Sequence, residues 1–327
     1  MRFVNANIFD GEGFRFGGIE VLEGRFGAFL PDETEGGEDL GGAYLIPGLV
    51  DVHTHGAAGA DFSDGDREGL ARMAAHLASC GVTSFAPASM TLPYDTLEAA
   101  YRTAVSFAAE RPEGCARLMG INMEGPFFSE KKKGAQNAAY LRLPDIAAFH
   151  RLYAASEGLL RIVDVAPELE GAAEFAAEVS RFCTVSAAHT DADYEETCAL
   201  YEAGATHLTH LFNAMPGIHH RKPGVIGAAS ERPDVVAELI GDGLHVHPSA
   251  VRMAFKLFPG RICLISDSLR CCGMPDGEYE LGGQQAFLKD GIARLADGTI
   301  AGAASDLFAD LRNVISFGIP AAGAIRA

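Results

Sequence analysis

Tyr44-Leu45-Ile46-Pro47-Gly48-Leu49-Val50-Asp51-Val52-His53-Thr54-His55-Gly56 is an apolar run that leads directly into two histidines separated by one residue. Side chains alternate along a β-strand, so His53 and His55 face the same way and can bind one metal ion or two adjacent ions. The pair alone is weak evidence, because neutral histidines are common in loops and cores. The stretch therefore predicts a strand leading into a metal site, provided that other segments supply further ligands.

Four further strand-like segments end in a residue of the same chemical kind. The terminal residues are Glu124, His189, His210 and Asp267. Carboxylates and imidazoles bind metal ions and transfer protons near neutral pH. The recurrence of such residues at the ends of apolar segments predicts that they meet at one site.

A repeated strand-loop-helix pattern runs from about residue 44 to residue 270. Eight strand candidates centre on Leu49, Ser84, Gly120, Val163, Val185, Leu208, Leu239 and Leu264. Helix candidates include residues 67–80, 95–110, 143–156 and 194–203. A doubly wound open sheet would place its chemistry at one crevice, whereas polar residues here end strand after strand. The pattern favours an α/β fold with a (β/α)8 TIM-type barrel over residues 44–275.

The two ends of the chain read differently from this repeat. Residues 1–43 and 276–302 alternate apolar and polar residues around Gly-rich turns, and Asp290-Gly291 is a strong hairpin signal. We expect these two pieces to form one small β-sandwich-like domain built from both chain ends. Residues 303–327 are expected to form a terminal helix.

Composition excludes several classes of function. The chain has 327 residues, of which 48% are hydrophobic, and a formal net charge of −18, which argues against nucleic acid as a partner. Apolar runs are too short to cross a bilayer, and the first residues lack a secretory pattern. Seven cysteines without a Cys-x-x-Cys pair fit a reducing, cytoplasmic location. The adjacent Cys271 and Cys272 are read as a plain loop, with a redox or soft-metal site as the alternative.

Several blocks of the sequence resemble the N-acetylglucosamine-6-phosphate deacetylase family of the amidohydrolase superfamily. The blocks are Pro47-Gly48-Leu49-Val50-Asp51-Val52-His53-Thr54-His55-Gly56, Met123-Glu124-Gly125-Pro126-Phe127, Ala188-His189-Thr190, Thr209-His210-Leu211-Phe212-Asn213-Ala214-Met215-Pro216, Gly241-Asp242-Gly243-Leu244-His245 and Ser266-Asp267-Ser268. They occur in order through nearly the whole chain. The Glu-Gly-Pro and His-Leu-Phe-Asn-Ala-Met-Pro blocks are specific, whereas His-x-His is shared by the wider superfamily.

The resemblance implies a metal-dependent hydrolase. Glu124, His189 and His210 would hold the principal divalent ion, and His53 and His55 would add a second. Zn²⁺ is the first expectation, with Fe²⁺, Mn²⁺ or Co²⁺ as alternatives that the ligand types also suit. Asp267 is the candidate general base and acid, its alternative being a helix N-cap.

The resemblance also implies how a sugar phosphate is held. The substrate-binding candidates are Ala135, Gln136, Asn213, the Ala214 backbone, Arg221, Asp242, His245 and the segment Ile300-Ala301-Gly302. Arg221 would reach in from a neighbouring subunit, because relatives are commonly homodimers. The planar fork of Arg suits phosphate, although a solvated loop charge is the alternative reading of Arg221.

Two departures from the family pattern stand out. Gln136 occupies a position where relatives carry a histidine that contacts the acetyl carbonyl, and its neutral amide is expected to stabilise an oxyanion less well. We predict that Gln136→His keeps or raises deacetylation, and a loss of turnover above about tenfold in the folded variant would contradict this placement. The other departure is the end at Ala327, where relatives continue, so the small sheet is expected to be incomplete or the sequence to be part of a longer product.

The leading hypothesis is hydrolysis of N-acetylglucosamine 6-phosphate to glucosamine 6-phosphate and acetate. The alternatives are deacetylation of another N-acyl amino sugar, such as N-acetylgalactosamine 6-phosphate, and a catalytically silent metal-binding homologue. Dihydroorotase-like chemistry is disfavoured because Ile162-Val163-Asp164-Val165-Ala166-Pro167-Glu168 has no lysine to bridge two ions.

Overall fold

The computed structural model describes residues 1–31 and 35–327. The N-terminal sheet contains β1 (Arg2–Phe9), β2 (Phe14–Leu22), β3 (Arg25–Leu30), β4 (Glu38–Asp39) and β5 (Tyr44–Leu45). β1 pairs with β2 in antiparallel fashion and with β4 and β5 in parallel. Of the piece predicted over residues 1–43, residues 32–34 lie outside the described residues.

Eight parallel strands form the predicted barrel. In chain order the next strands are β6 (Leu49–Thr54), the short pair β7 (Gly56–Ala57) and β8 (Ala60–Asp61), β9 (Val82–Ser89), the short β10 (Arg117–Leu118), β11 (Ile121–Phe127), β12 (Leu160–Val165), β13 (Thr184–Ala187), β14 (His207–Leu208), β15 (Val236–Ile240) and β16 (Ile262–Ile265). Hydrogen bonds connect β6, β9 and β11 to β16 in chain order, and all of these pairings are parallel. The fold class expected from the strand repeat is thus confirmed.

The seam between the last and first strands is bridged by side chains and backbone. The Ser266 hydroxyl donates to Asp51 at 2.6 Å, and the amide of Asp267 donates to the carbonyl of His53 at 2.9 Å. These bonds bring the end of β16 against β6. They place the residues that follow β16 beside the two histidines.

One helix follows each of the first seven barrel strands. These are α1 (Arg67–Ser79), α2 (Tyr94–Glu110), α3 (Ile146–Ala155), α4 (Ala172–Val179), α5 (Tyr194–Glu202), α6 (Gly224–Glu231) and α7 (Pro248–Leu257). α1 shows why they form here: Asp66 caps its first turn, and the buried Leu70, Met73 and Leu77 recur at helical spacing. Their burial against the strands makes one continuous apolar core between the helices and the barrel.

The predicted terminal helix is two helices, α8 (Leu307–Ser316) and α9 (Ala321–Arg326), separated by Phe317-Gly318-Ile319-Pro320. Proline cannot continue a helix, and Gly318 has a positive φ of 98°, so the chain turns here. α8 packs against both β16 and β6. It is therefore the eighth helix of the barrel, which the domain limits of 44–275 left out.

A four-stranded antiparallel sheet lies between β16 and α8. Its strands are β17 (Gly277–Leu281), β18 (Gln284–Lys289), β19 (Ile292–Leu295) and β20 (Ile300–Ala303), with Asp290-Gly291 at the predicted hairpin. Its buried residues form a cluster with Met90 and Leu269 at the barrel mouth, whereas the N-terminal sheet has a cluster of its own around Ile8 and Ile19. The two terminal sheets thus belong to separate apolar clusters.

No helix within the described residues is long and apolar enough to cross a membrane.

Candidate active site

All five predicted metal ligands and Asp267 converge at the carboxyl end of the barrel. His53 lies within β6 and His55 directly after it, while His189, His210 and Asp267 follow β13, β14 and β16. Glu124 differs from the expectation, because it lies in the middle of β11 and not at its end. The site lies where active sites of this barrel architecture are built.

The ligand atoms form two groups that share one carboxylate. The first group is His53, His55 and Glu124, and the second is Glu124, His189 and His210; within each group the atoms lie within 4.8 Å of one another. Glu124 Oε1 is 3.1 Å from Nε2 of His189 and 3.2 Å from Nε2 of His210. Its other oxygen, Oε2, is 3.3 Å from Nε2 of His55. One carboxylate can therefore serve one ion or bridge two.

Three of the four histidines have Nδ1 next to an acceptor. His53 Nδ1 is 2.9 Å from Glu238 Oε2, His55 Nδ1 is 3.1 Å from the Ala88 carbonyl, and His189 Nδ1 is 2.9 Å from the Lys132 carbonyl. In the neutral ring the Nδ1–H then donates outward, which leaves the lone pair on Nε2. The lone pairs point to the centre of the cluster, as metal ligands require.

The arrangement fits a cation better than it fits a protein-only core. His189 Nε2 and His210 Nε2 lie 3.1 Å apart, and His53 Nε2 is buried without a hydrogen-bond partner. Two facing ring nitrogens repel unless a proton or a metal ion lies between them. Burial alone would lower the pKa of His55, but Glu124 and Asp267 outweigh it and raise that pKa to about 10. The cluster thus favours positive charge.

Asp267 faces the first group of ligands. Its Oδ1 lies 3.3 Å from Nε2 of His55 and 3.7 Å from Nε2 of His53. Burial acts to raise the pKa of Asp267, but the two histidines outweigh it and lower the pKa. The carboxylate is therefore ionised at neutral pH and able to accept a proton.

Three residues of the site have an unusual backbone conformation. His189, His210 and Asp267 have positive φ angles of 44°, 30° and 49°. This region is disfavoured for residues with a Cβ, and each such residue costs about 1–3 kcal/mol. Such strain concentrates at functional sites, where it aims side chains that a relaxed strand end would direct elsewhere.

A cavity of about 320 Å³ opens beside the cluster, near the lower limit of small-molecule sites, which span about 300–1,000 Å³. The predicted substrate residues that line it are Ala135, Gln136, Asn213, Ala214, His245, Ile300, Ala301 and Gly302. The last three belong to β20, and Ala303 donates its amide to the Asp267 carbonyl at 2.9 Å. The C-terminal sheet therefore forms one wall of the cavity.

Two of the predicted substrate residues lie outside this lining. Asp242 accepts from Nδ1 of His245 at 2.6 Å and so acts on the cavity through that ring. Burial would lower the pKa of His245, but Asp242 outweighs it and raises the pKa. Arg221 lies in an exposed loop beside a different cavity, with Lys222 and Glu231. Within this chain, Arg221 is not brought to the metal cluster.

Gln136 is held by two hydrogen bonds inside the cavity. Its Nε2 donates to Glu124 Oε2 at 2.5 Å, and its Oε1 accepts from the Thr91 amide at 2.8 Å. Gln136 therefore orients the shared carboxylate, which the sequence reasoning did not foresee. Close packing recurs next to Glu124: Gly125 has a φ of 96°, and a Cβ there would collide with Thr91.

Sequence reasoning missed one residue of the site, Glu238. It is fully buried in β15, and its Oε2 accepts from both His53 Nδ1 at 2.9 Å and the His210 amide at 3.2 Å. A signal was present, because a glutamate inside the apolar run Val236-Ala237-Glu238-Leu239-Ile240 must have a buried partner. Only the barrel closure identifies that partner as His53.

Comparisons of the chain with known proteins agree with this geometry. The amidohydrolase family model matches residues 44–276. The N-acetylglucosamine-6-phosphate deacetylase of Vibrio furnissii is 36% identical over 276 residues, which cover 84% of this chain and 69% of that protein. The N-acetylgalactosamine-6-phosphate deacetylase of Escherichia coli O157:H7 is 37% identical over 283 residues, covering 86% and 75%.

A solved structure agrees with these sequence relatives. It is an N-acetyl-D-glucosamine-6-phosphate deacetylase variant from Mycobacterium smegmatis in complex with N-acetyl-D-glucosamine 6-phosphate. It superposes with a TM-score of 0.93 at 32% identity and covers 100% of this chain and 87% of that one.

Proposed function

Since the chain belongs to the N-acetylglucosamine-6-phosphate deacetylase family of amidohydrolases, we propose that it hydrolyses N-acetylglucosamine 6-phosphate to glucosamine 6-phosphate and acetate. The observation that carries the proposal is the shared carboxylate of Glu124, which joins two groups of metal ligands beside a cavity of suitable size. A catalytically silent homologue has no need for this arrangement together with the ionised carboxylate of Asp267.

The metal ligands divide into two proposed sites. Glu124, His189 and His210 would hold the principal ion, and His53 and His55 would hold a second ion with Glu124. A bound divalent ion supplies a polarised substrate carbonyl and a water whose pKa approaches neutrality. Zn²⁺ suits the imidazole and carboxylate donors, as do Fe²⁺, Mn²⁺ and Co²⁺.

Asp267 is the proposed general base and acid. Its ionised carboxylate accepts a proton from the attacking water and then gives the proton to the departing amine of the sugar. His55 Nε2 and His53 Nε2 lie 3.3 and 3.7 Å from the carboxylate on one side, and Ala303 of β20 donates its amide to the Asp267 carbonyl. Asp267 therefore both accepts the proton from water and donates it to the amine.

The sugar phosphate is proposed to occupy the cavity between the metal cluster and β20. His245, Asn213, the Ala214 backbone and residues 300–302 are the proposed contacts. No lysine or arginine is among the residues that line the cavity in the described chain. Asp242 raises the pKa of His245, which favours the charged form of that ring beside a phosphate. A phosphate dianion needs more positive charge than one histidine supplies. We propose that Arg221 of a second copy of the chain completes the site in a homodimer.

N-acetylgalactosamine 6-phosphate is the second candidate substrate. The support is the E. coli relative named for that activity, which is as similar to this chain as the V. furnissii enzyme. The two sugars differ only in the orientation of one hydroxyl group.

We also propose a cytoplasmic location, because all seven cysteines are free.

Acetate release provides the test. The purified protein, stripped with a chelator and reloaded with Zn²⁺, Fe²⁺, Mn²⁺ or Co²⁺, is assayed on both N-acetylhexosamine 6-phosphates and on plain N-acetylglucosamine. We expect metal-dependent release from a phosphorylated sugar, abolished in His210→Ala and retained in His150→Asn, which changes a partly exposed histidine on α3. Folded, metal-loaded protein that released acetate from none of these sugars would refute the proposal.

A further inference from the structure

The turn between β19 and β20 lies at the rim of the catalytic cavity. Thr299, directly before β20, lines the cavity together with Ile300, the first residue of that strand. β20 is tied to the barrel beside the catalytic carboxylate: Ala303 donates its amide to the Asp267 carbonyl and accepts the Leu269 amide, each at 2.9 Å. β19 pairs with β20 in antiparallel fashion, so its side chains are held at a fixed position relative to the cavity.

Arg294 is the residue of β19 that lies directly opposite Ile300. Its neighbours Ala293 and Leu295 are buried in the apolar cluster at the barrel mouth, so the alternation of side chains puts Arg294 on the other, exposed face of the sheet. The pairing with β20 shifts register between Ala293 and Arg294, and bulges of this kind are frequent beside active sites, where they re-aim a side chain. Arg294 therefore stands next to a residue that lines the cavity.

The guanidinium of Arg294 is held at this rim. Its Nη1 donates to the Gly298 carbonyl at 2.9 Å, one residue before Thr299. Burial lowers the pKa of His245, its pairing with Asp242 raises it, and the positive charge of Arg294 lowers it to a smaller extent. The guanidinium thus lies close enough to His245, which lines the cavity, for its charge to act on that ring.

Arg294 is available for an anionic ligand. Among the described residues it forms no ion pair, and Gly298 is its hydrogen-bond partner. The acidic residue of the same turn, Asp297, has partners of its own: its Oδ1 accepts the Thr299 amide at 2.9 Å, and this bond and the charge of Lys133 lower its pKa. An arginine with unused N–H groups suits phosphate, which can accept two parallel hydrogen bonds from the planar fork.

We propose that Arg294 is a specificity-determining residue for the phosphate group of the substrate, supplied by the same chain that holds the metal cluster. The inference rests on the proposed deacetylase function, and it adds a cation from the same chain to Arg221 of a second copy. The N–H groups of Arg294 would donate to phosphate oxygens, and its charge would offset the repulsion of an anionic sugar by a chain of net charge −18. A plain N-acetyl sugar gains nothing from this contact.

Substitution of Arg294 tests the assignment. The full, metal-loaded chain is assayed for the ratio of kcat/KM on N-acetylglucosamine 6-phosphate to kcat/KM on N-acetylglucosamine. Arg294→Gln removes the charge and is expected to lower this ratio by about tenfold or more, mainly through KM, and Arg294→Glu should lower it further. Arg25→Gln is the matched control and should keep the ratio, because Arg25 is an exposed arginine of β3, in a sheet that contributes no described residue to the cavity.

Mixed chains separate Arg294 from a residue that a partner donates. Arg294→Gln chains mixed with Asp267→Asn chains should not regain affinity for the phosphorylated sugar, because every site with an intact Asp267 then lacks the Arg294 of its own chain. Restoration on mixing would overturn the assignment to the same chain. A wild-type ratio in folded Arg294→Gln or Arg294→Glu would overturn the role altogether.

The two proposals fail in different ways. Wild-type protein that released acetate from neither sugar would contradict the proposed function and not the position of Arg294. Calorimetric binding of glucosamine 6-phosphate then decides the role of Arg294, since we expect it to be about tenfold weaker in Arg294→Gln and unchanged in Arg25→Gln. Equal binding by wild type and Arg294→Gln would overturn the inference.

Discussion

Glu238 connects the two groups of metal ligands through a single oxygen. Its Oε2 accepts from Nδ1 of His53, in one group, and from the amide of His210, in the other. A buried carboxylate on the outer nitrogen of a ligating histidine fixes the tautomer and strengthens the ring as a ligand. Glu238 is thus positioned to influence both proposed ion sites without being a ligand in either.

Glu238→Gln is predicted to weaken metal binding. The amide is neutral, so His53 loses the charged acceptor that holds its lone pair on Nε2, and we expect a loss of affinity of about 10- to 100-fold. Metal content after dialysis against graded chelator measures this. Glu174→Gln is the control, because it makes the same change at an exposed position of α4. Equal metal retention in wild type and Glu238→Gln would contradict the role.

Asp267→Asn is predicted to separate proton transfer from metal binding. The amide cannot accept the proton of the attacking water, so turnover should fall by about 10²- to 10⁴-fold. The ions should remain, because Glu124, His189 and His210 are intact. Turnover and metal content are measured on the same sample. Turnover within a few-fold of wild type in the metal-loaded variant would remove Asp267 from its proposed role.

Among the helices and strands, α8 has two notable features: its position in the barrel and one buried acidic residue. It completes the barrel against β16 and β6, and it carries the fully buried Asp310, whose two carboxylate oxygens lack a hydrogen-bond partner. Burial, with Asp242 and Asp51 nearby, raises the pKa of Asp310 well above its ordinary value. A buried acid with a raised pKa destabilises the fold increasingly as the pH rises.

Asp310→Asn is predicted to stabilise the protein at neutral pH but not in acid. Between the ordinary pKa near 4 and the raised pKa, the folded state holds a proton that the unfolded state has lost, so stability falls as pH rises by up to about 1.4 kcal/mol per unit. Asn removes this slope, and the gain at pH 7 should reach roughly 1–3 kcal/mol. Urea unfolding from pH 4 to 8 measures it, with the exposed Asp290→Asn as control. A gain independent of pH would contradict the assignment.

At the scale of the whole molecule, an anionic substrate must enter a protein with a net charge of −18. A field of this sign repels a sugar phosphate, so recognition depends on cations close to the site. His245 is available within the chain, while Arg221 lies in a separate exposed loop. A second copy of the chain is the proposed way to bring Arg221 to the phosphate.

Arg221→Ala is predicted to raise KM for N-acetylglucosamine 6-phosphate by about 10- to 100-fold, the value of a charged hydrogen bond, and to leave the KM of the unphosphorylated sugar unchanged. Lys222→Ala in the same loop is the control. Mixing Arg221→Ala chains with Asp267→Asn chains should restore high-affinity activity, since one site of each mixed dimer has both residues intact. No restoration on mixing, despite chain exchange, would place Arg221 outside the partner's site.

The sequence by itself determined the architecture and most of the site. Strand periodicity, helical spacing and the polar ends of strands are local signals, and they predicted the eight-stranded barrel and the convergence of His53, His55, Glu124, His189 and His210. Convergence followed because the carboxyl ends of parallel strands share one end of the barrel. The Asp290-Gly291 hairpin was likewise encoded by adjacent residues.

Only the tertiary structure decided which side chains act on one another across the barrel. Glu238 meets His53 across 185 positions of the chain, Gln136 turns to Glu124 instead of standing free in the cavity, and α8 joins the barrel after an inserted sheet. A local pattern can show that Glu238 needs a buried partner, but it cannot identify any of these partners, because each contact depends on barrel closure. Local patterns fix elements, whereas hydrogen bonds between distant buried groups are fixed only when the elements pack.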